Sequence, residues 1–308
     1  MTVEDQGKFI PIKASQIKLY QKFSLFYQTS KKKYLLYKPG GGLLTDNRIE
    51  EGRMPALYVY QTDRVKIIKE LQNTINEELK KKIVAGNISD VKESLCNLVE
   101  ETFTEPGSDT LGGLTETIDI LISGYAMNSG VLKSLANISN KDYSTAIHCV
   151  NVMALTLGFC FYNDVPIKNT KKYGLSALLH DVGKTEIPFQ ILKAKRKLTV
   201  KEYKIMKSHA AIGKDIICND KTIDHSLSIG SFEHHEKLDG TGYPKGIRDI
   251  SFIGQLLGII DCYEALTNED RTYRRATSPL VALKIIKEDV LQGKYNKQIF
   301  KQFCYSIV

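Results

Sequence analysis

Two adjacent histidines, His234 and His235, run through Glu236 into the glycine-rich turn Lys237-Leu238-Asp239-Gly240-Thr241-Gly242-Tyr243-Pro244. A second segment of the same chemical character, His180-Asp181-Val182-Gly183-Lys184, lies about fifty residues upstream. Imidazole and carboxylate side by side are ligand types for a first-row transition metal, and Asp261 on a further apolar stretch adds another group of that kind. A histidine on an apolar helix taken singly, as His148 or His209 would be, reads as a hydrogen-bonded core residue. The set changes that reading, because its members fall on four or five helical segments, and a bundle builds a metal site from inward-facing side chains in that way. Lys184 follows the His-Asp pair closely enough for its ammonium to meet a phosphate oxygen; standing alone it would read as a solvated lysine near a helix end. In the turn, Gly240 and Gly242 open backbone conformations closed to other residues and Pro244 stiffens the exit. Tyr243 between them could stack on a base or hold the loop against the core.

The elements that must position these groups read as helical. Leu175, Leu178 and Leu179 give the helix ending at His180 an apolar face, and Asp261 lies on an apolar helix of its own. Thr199 with Glu202 three residues later is a capping box, opening a helix expected to carry both Met206 and His209. Further upstream, Val65, Ile68, Leu71, Ile75, Leu79 and Ile83 recur at three- and four-residue intervals from Asp63, placed to cap the start, to Gly86, placed to end it. A second helical segment is expected over about Ser89 to Phe103. Before these, the aromatic runs 23–27 and 34–37 bracket a polar stretch as a hairpin would, and Leu57-Tyr58-Val59-Tyr60 is a further strand. The turn Pro39-Gly40-Gly41-Gly42 lacks the Gly-Lys-Ser/Thr of a phosphate-binding loop. The expected organisation is mainly α: a small α+β regulatory domain over 1–62, a helical linker over 63–110, and an all-α bundle over 111–308 that carries the chemistry.

Taken together, His180-Asp181 with Lys184, and His234-His235 with Gly242-Tyr243-Pro244, resemble the HD-GYP family, metal-dependent phosphodiesterases that hydrolyse cyclic di-GMP in bacteria. The resemblance covers roughly Ser139 to Ala276. It implies an HD-type helical bundle in which His148, His180, Asp181 and Asp261 hold one metal while Asp181, His209, His234 and His235 hold a second, with Asp181 bridging. Such a pair lowers the pKa of a bridging water and neutralises charge on the phosphoryl oxygens. Iron is the metal the resemblance favours, and the ligand set also suits manganese or zinc. It further implies that Lys184 contacts the substrate phosphate and that Arg271 and Arg274, in Arg271-Thr272-Tyr273-Arg274, grip phosphate through planar guanidinium groups. The chain departs from the family at two places. Asn268-Glu269-Asp270 is one residue longer than the usual spacing and Thr272 replaces a proline. Ser144 stands where some members carry a glutamate that helps hold a third metal, so two metals are expected. Two other readings stay open: a non-catalytic module binding cyclic di-GMP or a signalling partner, and an HD phosphohydrolase acting on another nucleotide.

Composition is in keeping with these expectations. The chain has 308 residues, 42% hydrophobic and 25% charged, with a formal charge of +8. That balance suits an anionic dinucleotide, and no nucleic-acid-binding motif accompanies the lysine runs Lys31 to Lys33 and Lys80 to Lys82. The six cysteines form no CxxC pair, which argues against a zinc knuckle or a disulfide framework. No uninterrupted apolar run reaches the roughly 18 residues of a membrane helix; the nearest, Val150 to Tyr162, is broken by Asn151, Thr156 and Gly158. Met1 to Asp5 is acidic and unlike a secretory signal, so a cytoplasmic protein is expected. A homodimer stays open as well. His225 matches no ligand position and reads as a surface or capping residue.

Overall fold

In the computed structural model, which describes residues 2–3, 9–12, 17, 20, 22–42, 55–127, 131–132, 135, 144–267 and 277–307, the chain divides into two compact units, Met1–Ile75 and Asn76–Val308. Alternating aromatic and aliphatic residues build the sheet of the first unit. Its strands are β1 (Thr2–Val3), β2 (Phe9–Pro11), β3 (Leu25–Gln28), β4 (Tyr34–Lys38) and β5 (Leu57–Tyr60). They form one five-stranded sheet in the order β1-β4-β3-β5-β2, antiparallel throughout. Because neighbouring side chains on a strand point to opposite faces, Leu25, Leu57 and Val59 join Ile17, Tyr20 and Phe23 in one core, while Phe26 joins Phe9 and Tyr34 on the other face. The β3–β4 hairpin is the one expected from the aromatic runs; β1 and β2 were not expected, being too short to show a period.

Helix α1 (Arg64–Val84) follows a 3₁₀ turn, Gln61–Asp63, so Asp63 lies inside that turn. Ile67 and Leu71 close the first unit's core, and the helix continues past Ile75 into the second. There α2 (Ile88–Thr102) packs on α4 (Thr145–Tyr162), and α3 (Gly113–Met127) packs on α5 (Ile167–Leu179). After a short α6 (Phe189–Leu192) come α7 (Val200–Lys207), α8 (His209–Asn219), α9 (Ser228–Glu233), α10 (Phe252–Thr267), α11 (Pro279–Leu291) and α12 (Lys297–Ser306). Helices α4 and α10 are the buried centre, each packed on the other and on α5.

The helix expected to run from Thr199 through His209 is two helices. The capping box is present, with the Thr199 hydroxyl accepting from the Glu202 N–H and the Glu202 carboxylate accepting from the Thr199 N–H. Helix α7 nevertheless ends at Lys207. The Ser208 hydroxyl donates to the Ile205 carbonyl at 2.6 Å and His209 Nδ1 to the Met206 carbonyl at 2.7 Å, so side chains take acceptors that a continuing helix gives to backbone N–H groups. Helix α4 also differs from its sequence reading. Its 18 residues are long and apolar enough on average to span a membrane, but 72% of the span is buried inside the protein, as in a core helix.

Candidate metal centre

Five histidines reach a common region from helix ends or from the buried centre of the bundle. His148 is in the first turns of α4. His180 caps the C-terminus of α5, and Asp181 follows at the head of a 3₁₀ turn, Val182–Glu186. His209 opens α8, and His234 caps the C-terminus of α9 with His235 next to it. Helix ends leave backbone carbonyls without intrahelical partners, and three of the imidazoles use them. His180 Nδ1 donates to Ala177 O at 2.7 Å, His209 Nδ1 to Met206 O at 2.7 Å and His234 Nδ1 to Ser231 O at 2.8 Å. A carbonyl only accepts, so each ring carries its proton on Nδ1 and, when neutral, turns a bare Nε2 inward.

Those bare nitrogens meet around Asp181. Its Oδ2 lies 3.3 Å from His148 Nε2 and 3.4 Å from His180 Nε2, while its Oδ1 lies 3.2 Å from His209 Nε2 and 3.8 Å from His234 Nε2. Asp261 adds a second carboxylate, with Oδ1 3.0 Å from His148 Nε2 and Oδ2 3.9 Å from His235 Nδ1. Two groups have ligand atoms all within 4.8 Å of one another: His148, His180 and Asp181, and His209, His234 and His235.

The packing suits a bound cation. Asp181 Oδ1 is a buried carboxylate oxygen with no hydrogen-bond donor, since the nitrogens nearest it carry no proton. His209 Nε2 and His234 Nε2 face each other at 3.3 Å. Lone pairs held that close in a buried site are repulsive unless a positive charge lies among them, and neutral imidazole with carboxylate is the donor set of a divalent transition metal. Electrostatics favours the same forms at His234, His235 and the two carboxylates. At His148 burial pushes the ring down, but the carboxylates of Glu264, Asp181 and Asp261 outweigh it and hold the ring well above its ordinary value, so its Nε2 holds a proton that a bound metal would displace. Burial, followed by the neighbouring His180 and His209, pushes His234 down to about 3. Burial and His234 likewise hold His235 well below its ordinary value. Burial pushes the Asp181 carboxyl up, but Lys184, His180 and the hydrogen bond from His148 outweigh it and hold that carboxyl well below the usual range. Asp261 is held low in the same way, chiefly by His148.

Around this centre lie further residues, of which the sequence reading gave Glu264 and Asn151 no part in the site. The buried Glu264 carboxylate accepts His148 Nδ1–H at 2.6 Å and Asn151 Nδ2–H at 2.7 Å, holding a proton on the nitrogen of His148 that faces away from Asp181. A signal was present, because Glu264 follows Asp261, and Asn151 follows His148, by one helical turn. Glu236, buried beside His235, accepts from the N–H groups of Lys245 at 2.7 Å and Ile247 at 3.1 Å and so ties down the turn. Gly242 is needed there, since a Cβ would lie 2.4 Å from the Lys237 nitrogen and 2.5 Å from Glu236 Cα. The Tyr243 ring stacks on His235 at 4.5 Å between centroids. Ser144 caps α4, accepting from the Ile147 N–H at 3.3 Å and donating to Glu100 Oε1 at 3.1 Å.

The Lys184 ammonium rests on Asp181 Oδ2. Arg271 and Arg274 lie outside the described residues. His225 is exposed and opens a 3₁₀ turn, His225–Leu227.

The profile of the HD domain family matches residues 128–299, more than half of the chain. The cyclic di-GMP phosphodiesterase PA4108 of Pseudomonas aeruginosa is 28% identical over 63% of this chain and 46% of its own. The 3'3'-cGAMP-specific phosphodiesterase 1 of Vibrio cholerae is 29% identical over 54% of this chain and 39% of its own. The chain thus spans less than half the length of these relatives. The solved structure of Bd1817, an HDG"Y"P protein from Bdellovibrio bacteriovorus, has a TM-score of 0.64 at 19% identity, covering 96% of this chain and 98% of that one, a likeness of fold.

Proposed function

The chain belongs to the HD domain family, and we propose that it is a metal-dependent phosphodiesterase of the HD-GYP type, hydrolysing cyclic di-GMP to the linear dinucleotide pGpG. The observation that carries this reading is the Asp181 carboxylate, whose two oxygens face separate histidine pairs, His148 with His180 and His209 with His234. We assign one metal to His148, His180, Asp181 and Asp261 and the other to Asp181, His209, His234 and His235, with iron favoured over manganese or zinc. Metals bound there acidify a water and neutralise charge on the phosphoryl oxygens.

The chain's own residues supply the rest. Carbonyls of Ala177, Met206 and Ser231, with the Glu264 carboxylate, fix the imidazole tautomers, so no reorganisation is needed when phosphate enters. Lys184, about one-fifth exposed at the side chain and already inside the charge cluster, donates to an oxygen of the scissile or the adjacent phosphate. Arg271 and Arg274 are assigned to phosphate on the family resemblance. Of the two roles open to Tyr243, its ring contact with His235 supports anchoring of the loop.

Two metals per chain and conversion of cyclic di-GMP to pGpG are expected from anaerobically purified protein, measured by elemental analysis and chromatography of products. Asp181→Ala should lose both metals and the turnover; turnover retained in that variant would sink the assignment. A different cyclic dinucleotide as substrate is a second reading, favoured by the specificity in the name of the Vibrio cholerae relative. Competing cyclic di-GMP against 3'3'-cGAMP in one reaction separates the two.

A further inference from the structure

Helix α7 buries none of its residues, yet it ends beside the metal centre, two positions before His209. In its last turns the half-buried Lys207 holds its ammonium 4.9 Å from the centroid of the Tyr203 ring and 5.3 Å from that of Tyr243. Tyr243 in turn stacks on His235 and meets the edge of His209, centroids 6.3 Å apart. The cation is therefore one aromatic ring away from two of the histidines. No carboxylate lies in ion-pair reach of it among the described residues, whereas its helix neighbour Glu202 is paired with Arg196. Cation–π contacts position an ammonium without neutralising it, so Lys207 presents a full positive charge at the rim of the centre.

A cyclic dinucleotide carries two phosphodiesters on one macrocycle, so that when one is at the metals the other must lie nearby. We propose that Lys207, held by Tyr203 and Tyr243, binds this second, non-scissile phosphodiester. The inference rests on the proposed function and deepens it, making Lys207 a determinant of preference for cyclic dinucleotides over simple phosphodiesters. A contact to a phosphate that does not react adds equally to ground-state and transition-state binding, so its loss falls mainly on KM.

The test compares the metal-loaded full chain with its Lys207→Met and Lys207→Arg variants on cyclic di-GMP and on bis(p-nitrophenyl) phosphate, which has a single phosphodiester. Lys207→Met should lower the ratio of kcat/KM for cyclic di-GMP to that for bis(p-nitrophenyl) phosphate about ten- to a hundredfold, the range of a charge-assisted hydrogen bond. The loss should appear in KM for cyclic di-GMP, metal content should match wild type, and Lys207→Arg should recover most of the ratio. An unmoved ratio in an enzyme that cleaves cyclic di-GMP overturns the inference alone. Parallel loss on both substrates with loss of metal also overturns it, reducing Lys207 to a prop for His209. A wild-type protein that cleaves bis(p-nitrophenyl) phosphate but neither binds nor cleaves cyclic di-GMP overturns the proposed function and this inference together.

Discussion

At the scale of single residues, the centre depends on where each imidazole keeps its proton. Glu264 sets this for His148, and Glu264→Ala should weaken metal binding ten- to a hundredfold, the usual consequence of losing a group that orients a ligand. Metal titration of the stripped protein measures it, and unchanged affinity would remove Glu264 from the site. Lys184 differs, because its assigned partner is phosphate. Lys184→Ala should keep both metals while kcat/KM for cyclic di-GMP falls about ten- to a hundredfold; unaltered kinetics would return it to the role of a charge balancing Asp181. The adjacent pairs His180-Asp181 and His234-His235 are conspicuous in the sequence, whereas the expectation that His148 and His209 join them comes from the family resemblance. Glu264 and Asn151 were not legible in the sequence, since a carboxylate or amide one turn along an apolar helix shows its partner only when two helices are packed together.

At the scale of elements, the close seating of the 3₁₀ turn Val182–Glu186 on α8 decides whether His180-Asp181 and His209 share a site. Gly183 makes that seating: a Cβ there would lie 2.0 Å from the His209 carbonyl oxygen and 2.5 Å from the Gly213 nitrogen. Both are backbone atoms, so no rotamer change relieves the clash. Gly183→Ala should therefore cost more than the roughly 1–3 kcal/mol of ordinary overpacking and release metal by displacing His209. Thermal unfolding with metal analysis checks it; a variant with wild-type Tm and two metals would contradict this account. Periodicity made the long helices readable, and Leu175, Leu178 and Leu179 marked the face that brings His180 inward. The break at Ser208 was hidden because it depends on side chains competing for the Ile205 and Met206 carbonyls, which hydrophobic spacing does not record.

At the scale of the whole molecule, the sheet's two hydrophobic clusters lie within the first unit, and all the candidate ligands belong to the second. The ligands come from α4, α8, α10 and the ends of α5 and α9, so bound metal ties together elements that would otherwise hold mutually repelling lone pairs. A metal that binds only the folded state stabilises it by about 2.7 kcal/mol when free metal is a hundred times Kd, and chelation removes that contribution. The sheet of the first unit contains no candidate ligand and rests on the contacts of Phe9, Phe26 and Tyr34 on one face and of Leu25, Leu57, Val59, Ile67 and Leu71 on the other. Hydrogen exchange before and after chelation should then show amides of 145–162 and 252–267 losing protection while those of β3, β4 and β5 keep theirs. Equal loss in both units would mean that the metal centre supports the whole chain, and no loss in either would mean that the bundle tolerates the bare Asp181 oxygen without a cation.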